Sequence, residues 1–332
     1  MQSAVLEPCD WKILEMDAPS PSNTVSHKPV LVREVLEYLA PRPGAVIVDA
    51  TAGSGGHSAS ILPRLLPGGR LIAVDRDPNA LALARRRLAP FGDQVTFVQG
   101  DFRTLQTILE DLGLQRVDGI LADLGVSSLQ LDNAERGFSF SKPGPLDMRM
   151  DPSQPLTARL MVNEWSAEDL AQVFRTLGEE RLASRIARRI AQARERQEIN
   201  DTDELARIVA QAYPAPARFG RIHPATRTFQ ALRMAVNDEL GALTALLGSL
   251  EGLLNTNGRA VVISFHSLED RLVKHTYLSG KRHDIWTVLT KKPVRPSPEE
   301  VADNPRARSA KLRAVERRPL VALLAAQSGD GF

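Results

Sequence analysis

The stretch Val46-Ile-Val-Asp-Ala-Thr-Ala-Gly-Ser-Gly-Gly-His57 decides the fold that we predict for this chain. An apolar, β-branched run ends in Asp49, glycines follow at 53, 55 and 56, and a helical pattern begins near Ser58. A strand, a glycine-rich turn and a helix, in this order, open the nucleotide site of an α/β sheet. Glycines in such a turn let the backbone adopt positive φ and approach a ligand closely.

The spacing of these glycines differs from the dinucleotide fingerprint G-x-G-x-x-G. No third glycine stands at the expected offset, and an acidic residue, Asp49, precedes the turn. In the fingerprint, the glycines make room for a pyrophosphate at the helix N-terminus. The departure therefore favours a ligand that carries an amine and a ribose.

Composition limits the class of protein. The 332 residues are 43% hydrophobic, enough for one large domain or two ordinary ones, and the formal net charge is +2. The single cysteine, Cys9, excludes an internal disulfide, and no Cys/His spacing typical of a metal site occurs, so we expect no metal. Neither a secretory leader nor a run of about 18 apolar residues is present, so we expect a cytoplasmic protein without membrane segments.

Short apolar runs alternate with helical patterns in the first part of the chain. We predict strands over residues 45–48, 71–74, 95–98 and 119–122. Strands that alternate with helices are typical of a parallel α/β sheet. A further buried strand is predicted much later, over residues 258–265.

The domain organisation follows from where the strand signals stop. Residues 158–212 show helical patterns only, which indicates a helical insertion in the sheet domain. We therefore predict a flexible extension over 1–26, a sheet domain over 27–135 and 225–320, and an inserted all-helical domain over 136–224 that recognises the substrate.

Acidic residues stand at or just after the ends of the first four strands, namely Asp49, Asp75, Asp101 and Asp123. Open α/β sheets bind ligands at this edge, so the four side chains point to one crevice. A carboxylate at Asp75 can accept from two ribose hydroxyls, Asp101 can accept from an adenine amino group, and Phe102 can stack on the base. Asp49 and the turn suit an amino-acid group, so we expect S-adenosyl-L-methionine. For each aspartate alone, a helix cap or a solvated strand end is the alternative.

Longer motifs extend the interpretation to a family. They are Ser26-His-Lys-Pro-Val-Leu31, Asp49–His57, Asp123-Leu-Gly-Val-Ser-Ser128, Arg136-Gly-Phe-Ser-Phe140, Gly144–Asp151, His223–Arg233, Val236-Asn-Asp-Glu-Leu240, Ser264–Asp270 and Asn304–Arg313. From about Ser26 to Arg318, the chain resembles the ribosomal RNA small-subunit methyltransferase H (MraW) family. The resemblance implies a Rossmann-like class I methyltransferase sheet with an inserted helical domain. It also implies N4-methylation of a cytosine, cytosine 1402, in the decoding centre of 16S rRNA in the small ribosomal subunit.

The resemblance also implies donor-binding residues. Carried over position by position, they fall on Gly55, Gly56, His57, Asp75, Phe102, Asp123 and Gln130. Reasoning from residue chemistry adds Asp49, Gly53 and Asp101. His57 and Gln130 rest on the resemblance alone.

For catalysis, a cytosine amine needs an acceptor for its N–H, because its lone pair is delocalised into the ring. We expect the Asp123 carboxylate and the Leu124 carbonyl to act as this acceptor. The alternative, that Asp123 contacts only the donor, carries equal weight. His266, after the later strand, can orient the base or contact phosphate, or it can be a structural histidine.

Basic residues in two regions suggest contacts with RNA. One group, Arg181, Arg185, Arg188, Arg189, Arg194 and Arg196, lies on a predicted helix of the insertion, where Glu179, Glu180 and Glu195 offer pairing as the alternative. The other lies in a Pro-rich tail that has few acidic neighbours: Lys291, Lys292, Arg295, Arg306, Arg308, Lys311 and Arg313. Two further functions stay open, a small-molecule methyltransferase and a non-catalytic, donor-binding ribosome assembly factor.

Overall fold

The computed structural model describes residues 28–219 and 223–319, so the predicted extension over 1–26 lies outside the described residues. The strands are β1 Val46–Asp49, β2 Arg70–Asp75, β3 Val95–Gln99, β4 Val117–Asp123, β5 Leu254–Ser264, β6 Trp286–Val288 and β7 Lys311–Arg317. The helices are α1 Val32–Leu39, α2 Gly56–Leu65, α3 Pro78–Leu88, α4 Leu105–Asp111, α5 Ser128–Asp132, α6 Ala158–Glu164, α7 Ala167–Thr176, α8 Ala183–Arg194, α9 Thr202–Ala212, α10 Thr226–Val236, α11 Glu239–Leu253, α12 Ser267–Arg282 and α13 Pro298–Asp303.

The seven strands form one sheet in the order β3-β2-β1-β4-β5-β7-β6, which confirms the predicted α/β class. The first five strands in this order are parallel, and β7 runs antiparallel to both β5 and β6. At the centre, Val48 of β1 pairs with Ile72 on one side and Ile120 on the other. The strand order reverses between β1 and β4, so a crevice opens beyond their carboxyl ends.

Helices cover both faces of the sheet. On one face, α4, α11 and α12 pack on alternate strand residues such as Ile120 and Val262. On the other face, α1, α2 and α3 pack on the residues between them, such as Leu121 and Ile263. Because each central strand is buried on both faces, its sequence is a continuous apolar run.

A separate hydrophobic core holds the helical unit, with Phe174, Ile186 and Val209 from α7, α8 and α9 at its centre. Phe229 and Leu232 of α10 belong to the same core. The unit therefore extends past the boundary predicted at residue 224, because α10 buries its apolar face against the insertion.

The tail forms two strands that the sequence analysis missed. In β7 the charged residues Arg313 and Arg317 are buried, so the strand lacks the apolar and polar alternation of a half-exposed edge. Both charges have partners from distant segments: Arg313 Nε donates to Asp270 and Arg317 donates to the Leu254 carbonyl. In the described ranges, no helix combines the length and apolar character needed to cross a membrane.

Candidate active site at the carboxyl ends of the strands

A cleft of about 760 Å³ opens beyond the ends of β1, β2 and β4. The predicted site residues that line it are Gly53, Gly56, His57, Asp75, Phe102, Asp123, Leu124 and Gln130. Four predicted site residues are not among its lining: Asp49, Gly55, Asp101 and His266. The helical unit and the tail contribute too, through Met150, Arg233 and the segment 303–306.

The glycine turn shapes the end of the cleft next to β1. Gly53 adopts φ +53°, and its N–H donates to Asp75 Oδ2 at 2.8 Å. Gly55 caps α2 at φ +79° without a side-chain cap, so the N–H groups of the first turn are left for a ligand. Gly55 itself faces α3: a Cβ there would stand 3.3 Å from the Ala84 Cα and from Leu88. The missing side chain of Gly55 allows close packing of the turn on α3, and contact of Gly55 with the donor stays a prediction.

Asp75 is a carboxylate poised for hydroxyl groups. Besides the bond from Gly53, its Oδ1 accepts from the Asp77 N–H at 2.9 Å. Burial raises the pKa of Asp75 to about 6, against the opposing effect of these two bonds. Each oxygen keeps a free lone pair, which suits a diol that approaches from the cleft.

Phe102 lies beside Asp75 and is nearly buried, with one ring surface on the cleft. The Arg76 guanidinium lies over its ring at 5.7 Å from the centroid, and Arg76 also lines the cleft. Asp101, the preceding residue, is engaged elsewhere. It lies 3.3 Å from Arg76 Nη2, accepts from Arg103 Nε at 3.0 Å and caps the turn that begins at Phe102. Both arginines compete for the oxygens of Asp101, so its contact with an adenine amine stays a prediction.

Asp49 lies beneath the floor of the cleft and is 1% exposed. Ser58 Oγ donates to its Oδ2 at 2.6 Å, and the Thr51 N–H donates to its Oδ1 at 3.3 Å. Burial raises the pKa of this carboxyl group above its usual value. Asp49 ties the glycine turn to α2, and its expected contact with an amino-acid group stays a prediction.

His57 and Asp123 face each other across the floor, with 3.5 Å between His57 Nε2 and Asp123 Oδ2. The separation is long for a hydrogen bond, and both ring nitrogens of buried His57 and Oδ1 of Asp123 have no partner among the described residues. Burial alone would lower the pKa of His57, but Asp123 and Asp49 outweigh it and raise that pKa. Buried polar atoms without partners indicate that a ligand completes this site.

The turn after β4 is held rigidly. The Asp123 N–H donates to Thr51 Oγ1 at 2.7 Å, and the Leu124 N–H donates to the Ile263 carbonyl at 2.9 Å. Leu124 lines the cleft directly beside Asp123. The two groups that sequence analysis assigned to the amine are therefore adjacent and backed by neighbouring strands.

His266 caps α12 instead of entering the cleft. Its Nδ1 accepts from the Glu269 N–H at 3.4 Å, while Glu269 Oε2 accepts from the N–H groups of Phe265 and His266. Its Nε2 lies 3.2 Å from Glu269 Oε1. This capping geometry favours the structural alternative for His266, and its catalytic role stays a prediction.

Gln130 belongs to a network that sequence reasoning missed. Its Nε2 donates to Asp77 Oδ2 at 2.9 Å, and its Oε1 accepts from the Ser127 N–H at 3.0 Å. Arg136 also donates to Asp77 Oδ2, at 2.8 Å, and to the carbonyls of Arg149 and Met150. Asp77 thereby connects the donor side of the cleft with the helical unit. The motif that begins at Arg136 was the only sequence signal for it.

A charged wall from α10, α11 and α12 completes the cleft. Arg233 donates to both oxygens of Glu239, at 2.8 and 2.9 Å, and Glu269 lies beside them. Glu239, His266 and Glu269 are close enough to hold a metal ion. Arg233 already supplies Glu239 with a cation and two hydrogen bonds.

The basic residues differ from the sequence expectation. In the tail, Arg306 pairs with Asp132, and Lys311 and Arg313 pair with Asp270, both of them acids that are distant in sequence. In the insertion, Glu179 pairs with Arg271 and Glu180 accepts from Tyr213. Within residues 28–219 and 223–319, the arginines of α8 and its flanks form no ion pair: Arg181, Arg185, Arg188, Arg189, Arg194 and Arg196.

The doubly wound sheet, the glycine turn and the carboxylate at the end of β2 define a Rossmann-like domain. The chain belongs to the MraW methylase family, whose model matches residues 24–318, and the predicted resemblance is thus confirmed.

Relatives of the same family are similar over nearly their whole length. The chain is 51% identical over 305 residues to the ribosomal RNA small subunit methyltransferase H of Symbiobacterium thermophilum, covering 87% of this chain and 96% of the relative. The Geobacter sulfurreducens protein of the same name is 52% identical over 309 residues, at 89% and 99% coverage. Among solved structures, a SAM-dependent O-methyltransferase from Thermotoga maritima has a TM-score of 0.41 and 11% identity, over 90% of this chain and 69% of that chain.

Proposed function

We propose that the chain transfers a methyl group from S-adenosyl-L-methionine to N4 of a cytosine, cytosine 1402 in the decoding centre of 16S rRNA, and releases S-adenosyl-L-homocysteine. The observation that carries the proposal is the Asp123 carboxylate: it lines the cleft beside Leu124, and one of its oxygens has no partner among the described residues. The small ribosomal subunit is the partner, which implies a cytoplasmic location.

The lining residues fit this donor. Asp75 suits the ribose hydroxyls, Phe102 offers a ring surface to the adenine, and the uncapped first turn of α2 favours the carboxylate of the amino-acid end. The buried ring nitrogens of His57 lack partners at the same end. We assign donor binding to these residues together with Gly53, Gly56 and Gln130.

The chemistry places one demand on the protein. When bound, S-adenosyl-L-methionine supplies an electrophilic methyl group on a positively charged sulfur that leaves neutral, so the leaving group needs neither acid nor metal. N4 gains the methyl group and must lose one proton. Asp123, assisted by the Leu124 carbonyl, accepts the N–H bonds and then that proton, which raises the electron density on N4. His57 lies below the Asp123 carboxylate, with 3.5 Å between His57 Nε2 and Asp123 Oδ2.

The substrate class rests on the relatives' names and on charge. The unpaired arginines of α8 supply positive charge to an RNA backbone on the helical unit, which joins the cleft through Met150 and Arg233. The target cytosine must leave its stack to enter the cleft. Of the two basic regions, we favour α8 over the tail as the one that contacts RNA, because three of the tail residues have acidic partners.

Transfer of labelled methyl groups tests the proposal. The protein is incubated with labelled donor and small subunits from a strain that lacks this modification, and the labelled nucleotide is mapped by mass spectrometry. We expect label on N4 of cytosine 1402. Label in a metabolite alone would contradict the proposal in favour of a small-molecule methyltransferase. Bound RNA without label would contradict it in favour of an assembly factor.

A further inference from the structure

A second cavity, of about 170 Å³, lies where α12 packs on the antiparallel edge of the sheet. One face of α12 forms one wall, with residues at i, i+3, i+4 and i+7: Lys274, Tyr277, Leu278 and Lys281. The end of β6, the segment after it and β7 form the other wall: Val288, Thr290, Lys291 and Arg313. None of these residues lines the donor cleft.

The cavity gathers positive charge without an acid in its lining. Three exposed lysines, Lys274, Lys281 and Lys291, stand at its rim, and none forms an ion pair with any residue that the structure describes. The fourth cation, buried Arg313, uses Nε on Asp270 at 2.7 Å. Cations held close together around a concave surface create a positive potential that attracts an anion.

Two hydroxyl groups add hydrogen-bond donors. Tyr277 is 2% exposed, yet its hydroxyl has no hydrogen-bond partner among the described residues. Burial raises the pKa of Tyr277, so the hydroxyl keeps its proton and stays a donor. Thr290 Oγ1 accepts from the Ala314 N–H at 3.0 Å, which leaves the hydroxyl proton of Thr290 available. A buried hydroxyl without a partner is costly, and a ligand that accepts from it removes this cost.

The chemistry of the cavity selects its ligand. Ammonium, guanidinium and hydroxyl groups all donate hydrogen bonds, and a phosphate group accepts them through several oxygens. The apolar wall, with Leu278 exposed by 43%, gives a sugar or a base next to that phosphate a surface to pack against. The cavity thus matches a phosphate that belongs to a nucleotide.

The position of α12 relates this cavity to the donor cleft. Glu269, in the first turn of α12, lines the cleft, and Lys274 follows five residues later, about 8 Å along the helix axis. Resting on the proposed function, we propose that this cavity binds a backbone phosphate of the substrate RNA near the target cytosine. The helical unit and the edge of the sheet then hold the RNA from two sides of the cleft.

Charge-matched variants test the proposal. The variant K274Q/K281Q/K291Q removes three charges at the cavity, and the control R64Q/R70Q/R86Q removes three exposed charges elsewhere on the sheet domain. We expect the first variant to weaken binding of a small-subunit rRNA fragment at least tenfold, and the control less than threefold. The slope of log K against log salt should fall by about 1 in the cavity variant, because the contact with one phosphate is lost. Equal affinities of the two variants would overturn the proposal.

The variant Y277F tests the cavity without a change in charge. We expect it to weaken RNA binding about threefold to tenfold while its melting temperature stays equal or rises, because a buried unpaired hydroxyl is lost. RNA affinity equal to that of the wild type would show that the hydroxyl has no ligand, and would overturn the proposal.

Two further measurements distinguish a failure of the cavity proposal from a failure of the proposed function. Titration with inorganic phosphate tests whether the ligand of the cavity is a free anion instead of RNA. If the wild type binds phosphate tightly, and the triple lysine variant loses this binding but keeps its RNA affinity, the assignment to RNA is overturned. Methyl transfer by the wild type is measured in parallel. If the wild type methylates the RNA and the lysine variant binds like its control, only the cavity proposal fails. If the wild type neither binds nor methylates the RNA, both proposals fail.

Discussion

The ends of β2 and β4 differ from the ends of β1 and β3, although each pair carries an aspartate at or near the same edge of the sheet. Asp75 and Asp123 line the cleft, and Asp123 keeps one oxygen without a partner. Asp49 accepts from Ser58 below the floor, and Asp101 is held by two arginines. Position at a strand end brings a carboxylate to the crevice. Its local hydrogen-bond partners decide whether it serves a ligand or the scaffold.

The largest expected effect belongs to Asp123→Asn. The amide keeps the shape of the side chain but cannot take a proton from N4, so we expect turnover to fall about 10³-fold. Donor affinity, measured by calorimetry, should change by no more than about tenfold. Turnover within tenfold of the wild type would leave Asp123 as a donor contact only.

Asp75→Asn should mainly weaken donor binding. Hydrogen bonds to a charged acceptor contribute roughly 1.5–3 kcal/mol, so we expect the dissociation constant to rise about 10- to 100-fold. Turnover at saturating donor should change much less. An unchanged dissociation constant would refute the assignment of Asp75 to the ribose hydroxyls.

The pH dependence of donor binding also tests the assignment of Asp75 to the ligand. The pKa of Asp75 is raised to about 6, so its carboxylate is protonated as pH falls through 6 and donor binding weakens there. The free energy of unfolding changes with pH in the opposite direction. Because burial disfavours the ionised form of Asp75, the stability that is present below its unfolded pKa is lost as pH rises through 6. Asp75→Asn should thus remove both the loss of donor affinity as pH falls below 6 and the loss of stability as pH rises through 6.

Asp49→Ala should affect stability instead of donor binding. It leaves the buried Ser58 hydroxyl and the Thr51 N–H without an acceptor, which costs about 1–3 kcal/mol of unfolding free energy. The control Asp49→Ala/Ser58→Ala also removes the Ser58 hydroxyl, which the single variant leaves without an acceptor, and it should recover part of this loss of unfolding free energy. A large drop in donor affinity of the folded single variant would mean that Asp49 reaches the ligand.

The smallest effect is expected for Asp101→Ala. This carboxylate is partly exposed and caps a short turn, so we expect a loss of about 1 kcal/mol in unfolding free energy. The donor dissociation constant should change less than threefold, because Phe102 keeps its place in the core. A tenfold change would indicate that Asp101 contacts the adenine directly.

The sequence was sufficient for the parallel half of the sheet. Strands β1 to β4 lie within two residues of the predicted ranges, because both of their faces are buried and the apolar runs are continuous. The sequence did not predict β6, which spans only Trp286–Val288, or β7, where Arg313 and Arg317 are buried. These two charges can be buried because Asp270 and the Leu254 carbonyl accept hydrogen bonds from them. Partners so distant in sequence leave no signal in the local sequence pattern.

The site was predictable only in part for the same reason. Asp75, Asp123 and Phe102 follow from strand ends, and the glycine turn from its own sequence. The Asp77–Arg136 bond and the Arg233–Glu239 pair join the sheet domain to the helical unit, and hydrophobic periodicity carries no signal for them. The scaffold role of Asp49 depends on Ser58, a contact that the sequence leaves undetermined.

The contrast among the four aspartates is tested most directly by one calorimetric series, in which S-adenosyl-L-methionine is titrated into D49N, D75N, D101N and D123N near neutral pH. We predict that D75N loses most affinity, that D123N loses at most about tenfold, and that D49N and D101N bind within threefold of the wild type. A loss in D49N or D101N as large as that in D75N would contradict the account.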